Sequence, residues 1–412
     1  MCNKDPKFKR ALFLVNAASM IAHFNMSNIK LLLKQGYSVD VGCNFLYGNS
    51  CDDEKITHLK EELDKIGVKY YQIDFARTPF DPKLALGAYR QVADILKKND
   101  YSLLHCHTPM GGFIGRIAAA KYRKKGLKII YTAHGFHFYK GAPLINWSLY
   151  YPVEKICSYL TDCIITINEE DYRKASKSFA TKKTAVEKIS GVGVDISKFS
   201  PLTKEEKQNL KKEYGYDGKL LLIYAAEFIK RKNHKFLIDA ISEISKAHPN
   251  VKLLFCGTGI LFEQMQEYAK EKGVYDFIDF LGYRTDMPDL YGISDCILTS
   301  SYQEGLATNV IEGMATGLPA VATDIRGHRD VVENGKNGYL FKVDDTEEFV
   351  NAVKKLIDSE ERYNAFSENA IIRAKDFNLE NSIKQTEAIY KKYGIEGECG
   401  EPAVSVNSNT GL

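Results

Sequence analysis

Short apolar runs recur along the chain with amphipathic stretches of helix length between them, and this alternation constrains the fold more than any other feature. In the first half the runs are residues 11–15, 39–43, 103–106, 129–132 and 163–167, with helical periodicity over 24–35, 85–98 and 111–125. Runs this short and this apolar read as strands buried on both faces, which requires helices above and below a mostly parallel sheet. A second series follows at 220–225, 251–256, 278–281, 296–299, 320–322 and 339–341, separated by helical patterns near 233–247, 260–272, 308–316 and 346–358. The chain is therefore expected to build two doubly wound α/β domains. Ser200-Pro201 and the charged stretch 204–214 mark the join, giving an N-terminal domain over 1–200 and a C-terminal domain over 201–378. A last helix over 379–393 is expected to pack back on the first domain, and residues 394–412, without apolar periodicity, to form a disordered tail. Ligands of such sheets sit beyond the carboxyl ends of the strands, so two domains facing a central cleft would place the chemistry in the loops there.

Composition matters mainly through its distribution. The 412 residues carry 56 Lys and Arg against 53 Asp and Glu, a net charge of +3. Residues 1–200 hold 30 basic and 19 acidic groups, a net of +11, whereas residues 201–412 hold 26 and 34, a net of −8. That balance excludes a wholly basic nucleic-acid coat and an acidic disordered chain, and no nucleic-acid-binding module is recognisable. The nine cysteines include no C-x-x-C pair or zinc-like spacing, so they read as reduced thiols of a cytosolic protein. No stretch is long and apolar enough to span a membrane, and the charged first ten residues are not those of a signal peptide.

The most specific stretch runs Glu304-Gly305-Leu306-Ala307-Thr308-Asn309-Val310-Ile311-Glu312 and continues Gly313-Met314-Ala315-Thr316-Gly317-Leu318-Pro319. Glu304 falls in a loop just past a strand, and Glu312 about a turn inside a helix that Thr308 is placed to cap. The start of such a helix aims free N–H groups and a positive dipole end at a ligand, which suits a diphosphate. Gly305 lets the backbone come close. A carboxylate at 312 can accept both ribose hydroxyls, and one at 304 can bind hydroxyls of a sugar. Spacing alone does not separate this from two solvated surface glutamates.

Other ordered blocks do separate them. E-G-L-x(5)-E-G-M-A-x-G-L-P resembles the signature of retaining glycosyltransferases of family 4, which have the GT-B fold of two Rossmann-like domains. Lys232-Asn233-His234, Phe255-Cys256-Gly257-Thr258-Gly259, Leu281-Gly282-Tyr283-Arg284 and Gly335-Lys336-Asn337-Gly338-Tyr339-Leu340 resemble further blocks of that family, as do Thr132-Ala133-His134-Gly135 and Gly193-Val194-Asp195. The resemblance implies a nucleotide diphosphate sugar, UDP-linked, as donor, with no cofactor and no metal. On it, Lys232 with Arg231 would face the donor diphosphate, Glu304 the donor sugar and Glu312 the ribose. Tyr283 and Arg284 would border the base, and Gly257, Gly305, Leu306 and Ala307 would line the donor site. His134 would contact the donor sugar, with His107 and His137 as competitors for that role, while His107 and Ser19 would shape the acceptor side. Retention in this family is thought to use the departing diphosphate oxygen as base, so no protein nucleophile is required. The family's phosphate-binding arginine aligns with Glu227, which makes Arg231 the candidate substitute. The Gly-Gly loop of many relatives is replaced here by Asn16-Ala17-Ala18-Ser19-Met20.

Residues 101–150 contain seven Lys or Arg and no Asp or Glu, with Lys121, Arg123, Lys124 and Lys125 clustered ahead of the uncharged, aromatic stretch 141–153 that holds Trp147. Such a pairing suits an anionic lipid surface, although solvated lysines and packed aromatics would read the same way. The stretch 107–174 resembles bacterial capsule and exopolysaccharide glycosyltransferases that extend a polyprenyl-diphosphate-linked saccharide. The expected protein is thus a cytoplasmic transferase peripheral on the inner face of the plasma membrane, acting on a lipid-linked acceptor. Alternatives are a soluble glycosyltransferase with a small-molecule or protein acceptor and a non-catalytic sugar-nucleotide-binding protein.

Overall fold

The computed structural model describes residues 9–47, 53–76 and 81–395. Their contacts divide the chain into two units. One comprises Met1–Thr166, Asp171–Ile189 and Ile383–Leu412; the other comprises Ile167–Glu170 and Ser190–Ser382. The chain crosses first at Ile167, returns at Asp171, and enters the second unit again at Ser190, ahead of Ser200-Pro201.

The first unit is built on seven strands: β1 (Arg10–Ala17), β2 (Ser38–Asn44), β3 (Lys69–Gln72), β4 (Leu103–His107), β5 (Lys128–Ala133), β6 (Cys163–Thr166) and β7 (Ala185–Lys188). All pair in parallel, in the order β3-β2-β1-β4-β5-β6-β7, with Phe13 set between Val41 and His105. β4 is buried end to end and β1 over residues 11–15 because helices cover both faces. The helix Pro109–Ala119 lies so close to the sheet that a Cβ on Gly112 would stand 2.4 Å from the Tyr131 ring. Where one helix was expected over 24–35, two form, Ala18–Phe24 and Met26–Lys34. Asn25 interrupts them, its Nδ2 donating to Met20 O at 2.8 Å.

The second unit has six parallel strands: β8 (Leu220–Ala225), β9 (Val251–Cys256), β10 (Ile278–Gly282), β11 (Cys296–Thr299), β12 (Ala320–Thr323) and β13 (Gly338–Phe341). Their order is β10-β9-β8-β11-β12-β13, and one core packs on each face of the sheet. The final helix, Leu379–Lys392, belongs from Ile383 onward to the first unit. There Tyr390 is fully buried, and its hydroxyl lies 2.8 Å from His105 Nδ1. The tail expected over 394–412 lies, from residue 396 on, outside the described residues.

Candidate active site

In the second sheet the strand order reverses between β8 and β11, and a crevice outside the carboxyl ends of strands at such a reversal is where ligands bind. The loops leaving these two strands carry the charged residues. After β8 the chain turns through Lys230–Lys232 into the helix His234–Ala247, and Asn233 takes the left-handed conformation (φ 52°) that Asn and Gly tolerate best. Tyr224 Oη donates to Lys232 O (2.9 Å), Ser300 Oγ to Asn233 O (2.9 Å) and Tyr302 N to Arg231 O (2.8 Å), so the two loops are fastened together. Glu304 is buried there. Its Oε1 takes Lys232 Nζ at 2.5 Å and Ser301 Oγ at 2.8 Å, and Oε2 lies 3.8 Å from the exposed Arg231 guanidinium. Burial pushes the Glu304 carboxyl up, but Lys232, with Arg231 adding, outweighs it and holds the group below its ordinary value. Beneath the loop, buried His328 meets Thr299 Oγ1 at 3.3 Å and Thr323 Oγ1 at 3.1 Å, and Arg326 Nε donates to Glu304 O at 3.2 Å.

Glu312 lies within the helix Thr308–Ala315. Its one hydrogen bond comes from the buried Tyr291 hydroxyl, 3.4 Å from Oε2, and no ion pair offsets its partial burial among the described residues. The carboxyl is accordingly pushed up to about 7. Thr308 does not cap this helix. It is the first helical residue, the cap position falls to Ala307, and no side chain caps the N-terminus. Gly305 and Leu306 are half-buried and Ala307 is buried, with Gly305 O accepting from Asn168 Nδ2 at 3.1 Å. Gly257 follows β9 at φ 143°, and a Cβ there would stand 2.1 Å from Ala226 O, so only glycine lets the loops after β8 and β9 meet. Tyr283 is exposed, and the Arg284 guanidinium is held on its own loop by Asp286 (Nε to Oδ1 2.8 Å).

The first sheet reverses between β1 and β4. At that point Thr108 adopts φ 64°, unfavourable for a β-branched residue, and is held by Asn16: Thr108 Oγ1 donates to Asn16 Oδ1 at 2.5 Å, and Gly111 N reaches the same oxygen at 3.0 Å. Beside it stands a row of imidazoles. His105 is satisfied on both nitrogens, by Tyr390 Oη and by Thr132 Oγ1, each at 2.8 Å. His107 Nδ1 lies 3.0 Å from His134 Nε2. Burial lowers all three, to about 3 for His105, well below normal for His107 and to about 4 for His134, so all are neutral near pH 7. Ser19 is buried in the helix after β1.

Residues 205–373 match the model of "Glycosyl transferases group 1", and residues 10–168 match that of "Glycosyl transferase 4-like". Over 386 residues the chain is 36% identical to the putative glycosyltransferase EpsD of Bacillus subtilis (strain 168), covering 93% of this chain and 97% of that one. It belongs to the group 1 glycosyltransferases. It is also 26% identical, over 76% of its length and 79% of the relative's, to an Escherichia coli enzyme named UDP-Gal:alpha-D-GlcNAc-diphosphoundecaprenol alpha-1,3-galactosyltransferase. The fold matches the crystal structure of Anabaena HepE in complex with UDP and glucose, with a TM-score of 0.71 at 19% identity, covering 93% of this chain and all of the other. The two parallel sheets are thus those of a GT-B, family 4 transferase.

Within this glycosyltransferase, Lys232, Arg231 and Glu304 are brought into contact, as are His107 and His134. The residues grouped as facing lipid are not alike. Lys121, Lys124 and Lys125 are exposed, whereas Arg123 is tied to Asp162 (2.8 Å) and to Tyr159 O (2.9 Å). Trp147 packs inward on Phe138, with Lys174 Nζ over its ring at 4.7 Å. His107 is a buried residue, 2% exposed, and offers no open face for an acceptor. Glu227 is exposed and has no side-chain partner among the described residues. Sequence reasoning missed Tyr224, Ser301, His328 and Tyr291, which support the glutamates from behind. Their hydroxyls and imidazole lie in strands, loops and a short helix that read as ordinary core.

Proposed function

We propose that this glycosyltransferase moves a sugar, with retention, from a UDP-sugar to a polyprenyl-diphosphate-linked saccharide used in cell-surface polysaccharide synthesis. The observation that carries the donor half is the buried Glu304 paired with Lys232 where the second sheet reverses, beside an uncapped helix N-terminus. A carboxylate held ionised can accept sugar hydroxyls, while Lys232, Arg231 and the free N–H groups of the helix neutralise the diphosphate. Glu312 takes the ribose, Tyr283 and Arg284 border the base, and His134 contacts the donor sugar. As the bond from the anomeric carbon to the diphosphate oxygen breaks, the acceptor oxygen bonds to the same face. Its proton passes to the departing diphosphate oxygen.

The acceptor half rests on one surface of the first unit. The helix Leu144–Ser158 exposes Leu144 (85%), Ile145 (66%) and Ile156 (64%). Both of its charged side chains are engaged: Glu154 pairs with Arg116 at 2.8 Å, and Lys155 donates to Ser178 O. Its outer face is therefore uncharged, and Arg123 fastens the Lys121, Lys124 and Lys125 turn to the residue that ends it. An apolar face edged by lysines fits the anionic surface from which a lipid-linked acceptor is drawn, each lysine contributing about 1 kcal/mol. No helix among the described residues is long and apolar enough to cross a membrane.

The deciding experiment is product analysis with a panel of UDP-sugars and a lipid-linked acceptor extract, with Glu304→Ala as control. Transfer that survives in the control removes Glu304 from the donor site, and transfer only to water-soluble acceptors removes the lipid-linked substrate. Vesicle co-sedimentation tests the surface: Leu144→Glu with Ile145→Glu should abolish binding to anionic vesicles, and unchanged binding refutes the docking face.

A further inference from the structure

The contact between His107 and His134 fixes more than a position. We propose that His107 is the positioning residue that sets His134 as an Nδ1–H hydrogen-bond donor toward the donor sugar; this rests on the assignment of His134 to that sugar.

Between His107 Nδ1 and His134 Nε2, 3.0 Å apart, lies room for one proton. Burial keeps both rings neutral near pH 7. Two arrangements are then possible. If His134 donated through Nε2–H, His107 would carry its own proton on Nε2. That atom is buried and has no hydrogen-bond partner among the described residues. The Phe13 ring stacks against His107 (centroids 6.0 Å apart, 14° between planes), and the His105 ring lies 4.2 Å away with both its nitrogens already used. An N–H in that cage would be an orphaned buried donor, which folded proteins avoid more strictly than an unmet acceptor. In the other arrangement His107 Nδ1–H donates to His134 Nε2 and the buried Nε2 is only a bare lone pair. The second arrangement prevails.

His134 then carries its proton on Nδ1. Half-buried at the end of β5, it makes no other hydrogen bond among the described residues, so Nδ1 is the nitrogen left to a ligand. A neutral imidazole presenting N–H gives a hydrogen bond to a sugar oxygen and cannot take a proton through the same atom. The base for the acceptor hydroxyl must therefore come from elsewhere than His134.

Long-range 1H–15N correlation of the full-length protein labelled at histidine reads the tautomer directly, with His134→Gln assigning the signal. The expected spectrum shows His134 protonated on Nδ1 at neutral pH; protonation on Nε2 in the wild-type protein overturns the proposal. Two variants then separate positioning from packing. His107→Asn places an amide N–H near the site of Nδ1 and should keep the His134 pattern and most of kcat. His107→Leu should release the tautomer and lower kcat about tenfold, the worth of one hydrogen bond, with UDP affinity unchanged. If His107→Leu leaves the tautomer and kcat intact, His107 positions nothing. A His134→Ala enzyme of full activity would instead strike the sugar-contact assignment while leaving the tautomer result standing.

Discussion

Replacing Lys232 with Met tests whether the Glu304 loop depends on charge pairing or only on packing. Glu304 is 8% exposed, and Lys232 is its shortest contact, at 2.5 Å. Removing one partner of a buried pair typically costs about 3 to 5 kcal/mol because the other charge is left uncompensated. Arg231 remains at 3.8 Å and Ser301 still donates, which places the cost at the lower end, about 3 kcal/mol. For a domain of about 150 to 250 residues that corresponds to a fall in Tm of roughly 6 to 12 °C. The pH dependence gives a sharper signature. In the wild-type protein Glu304 is held below its ordinary value, so its stabilisation is present at neutral pH and is lost as pH falls through the folded value. In Lys232→Met, burial acts with far less opposition and raises the group, so stability declines as pH rises above about 4. The gap between the two proteins, measured by thermal or urea denaturation, should therefore widen from pH 4 to pH 7. Lys232→Met with Glu304→Gln, which removes the orphaned charge, should recover most of the loss at pH 7. A double variant no more stable than Lys232→Met, or a gap independent of pH, would refute the argument.

Other consequences can be checked on the same protein. Glu312 is pushed up to about 7 by burial, and in its proposed ribose role it accepts both hydroxyls best when ionised, so calorimetric UDP affinity should fall as pH drops from 8 to 6, and Glu312→Gln should bind weakly with a flat profile. Gly257→Ala drives a Cβ to within 2.1 Å of Ala226 O at φ 143° and should cost at least about 1 to 3 kcal/mol in denaturant titrations, with weakened UDP binding because the loops after β8 and β9 are forced apart. Arg231 is exposed, so Arg231→Ala should leave stability within about 0.5 kcal/mol of wild type. Its UDP affinity should drop about tenfold or more, as a lost charge-assisted hydrogen bond requires.

The sheets were legible wherever burial is complete. All six strands of the second sheet and the five inner strands of the first coincide with apolar runs, because a strand covered on both faces can hold little else. The edge strands β3 and β7, reading KYYQ and AVEK, were not legible; each has one neighbour and stays half exposed, so neither periodicity nor hydrophobicity marks it. The glutamates were legible through the motif that contains them, and their partners were not. Tyr224, Ser301 and His328 act through hydrogen bonds made across four different strands and loops, a juxtaposition that follows from strand order and not from spacing. Trp147 misled for a similar reason. Aromatic content signalled an interface, but in the helix Leu144–Ser158 the aromatic side faces Phe138 and Phe179, and aliphatic Leu144 and Ile145 are left outside.

The split in net charge looks unfavourable for a second domain proposed to hold a diphosphate, and the geometry shows why the total matters less than placement. At a few ångströms in a partly desolvated loop, one ammonium outweighs many screened surface carboxylates lying beyond a Debye length of about 8 Å. In the free protein Lys232 is already engaged by Glu304, whereas Arg231 stands 3.8 Å away and half exposed. On the proposed donor site, an arriving diphosphate would meet the half-exposed Arg231 guanidinium and the uncapped helix start first, and would draw on Lys232 only as sugar hydroxyls replace it on Glu304. That exchange joins recognition of the sugar to neutralisation of the leaving group.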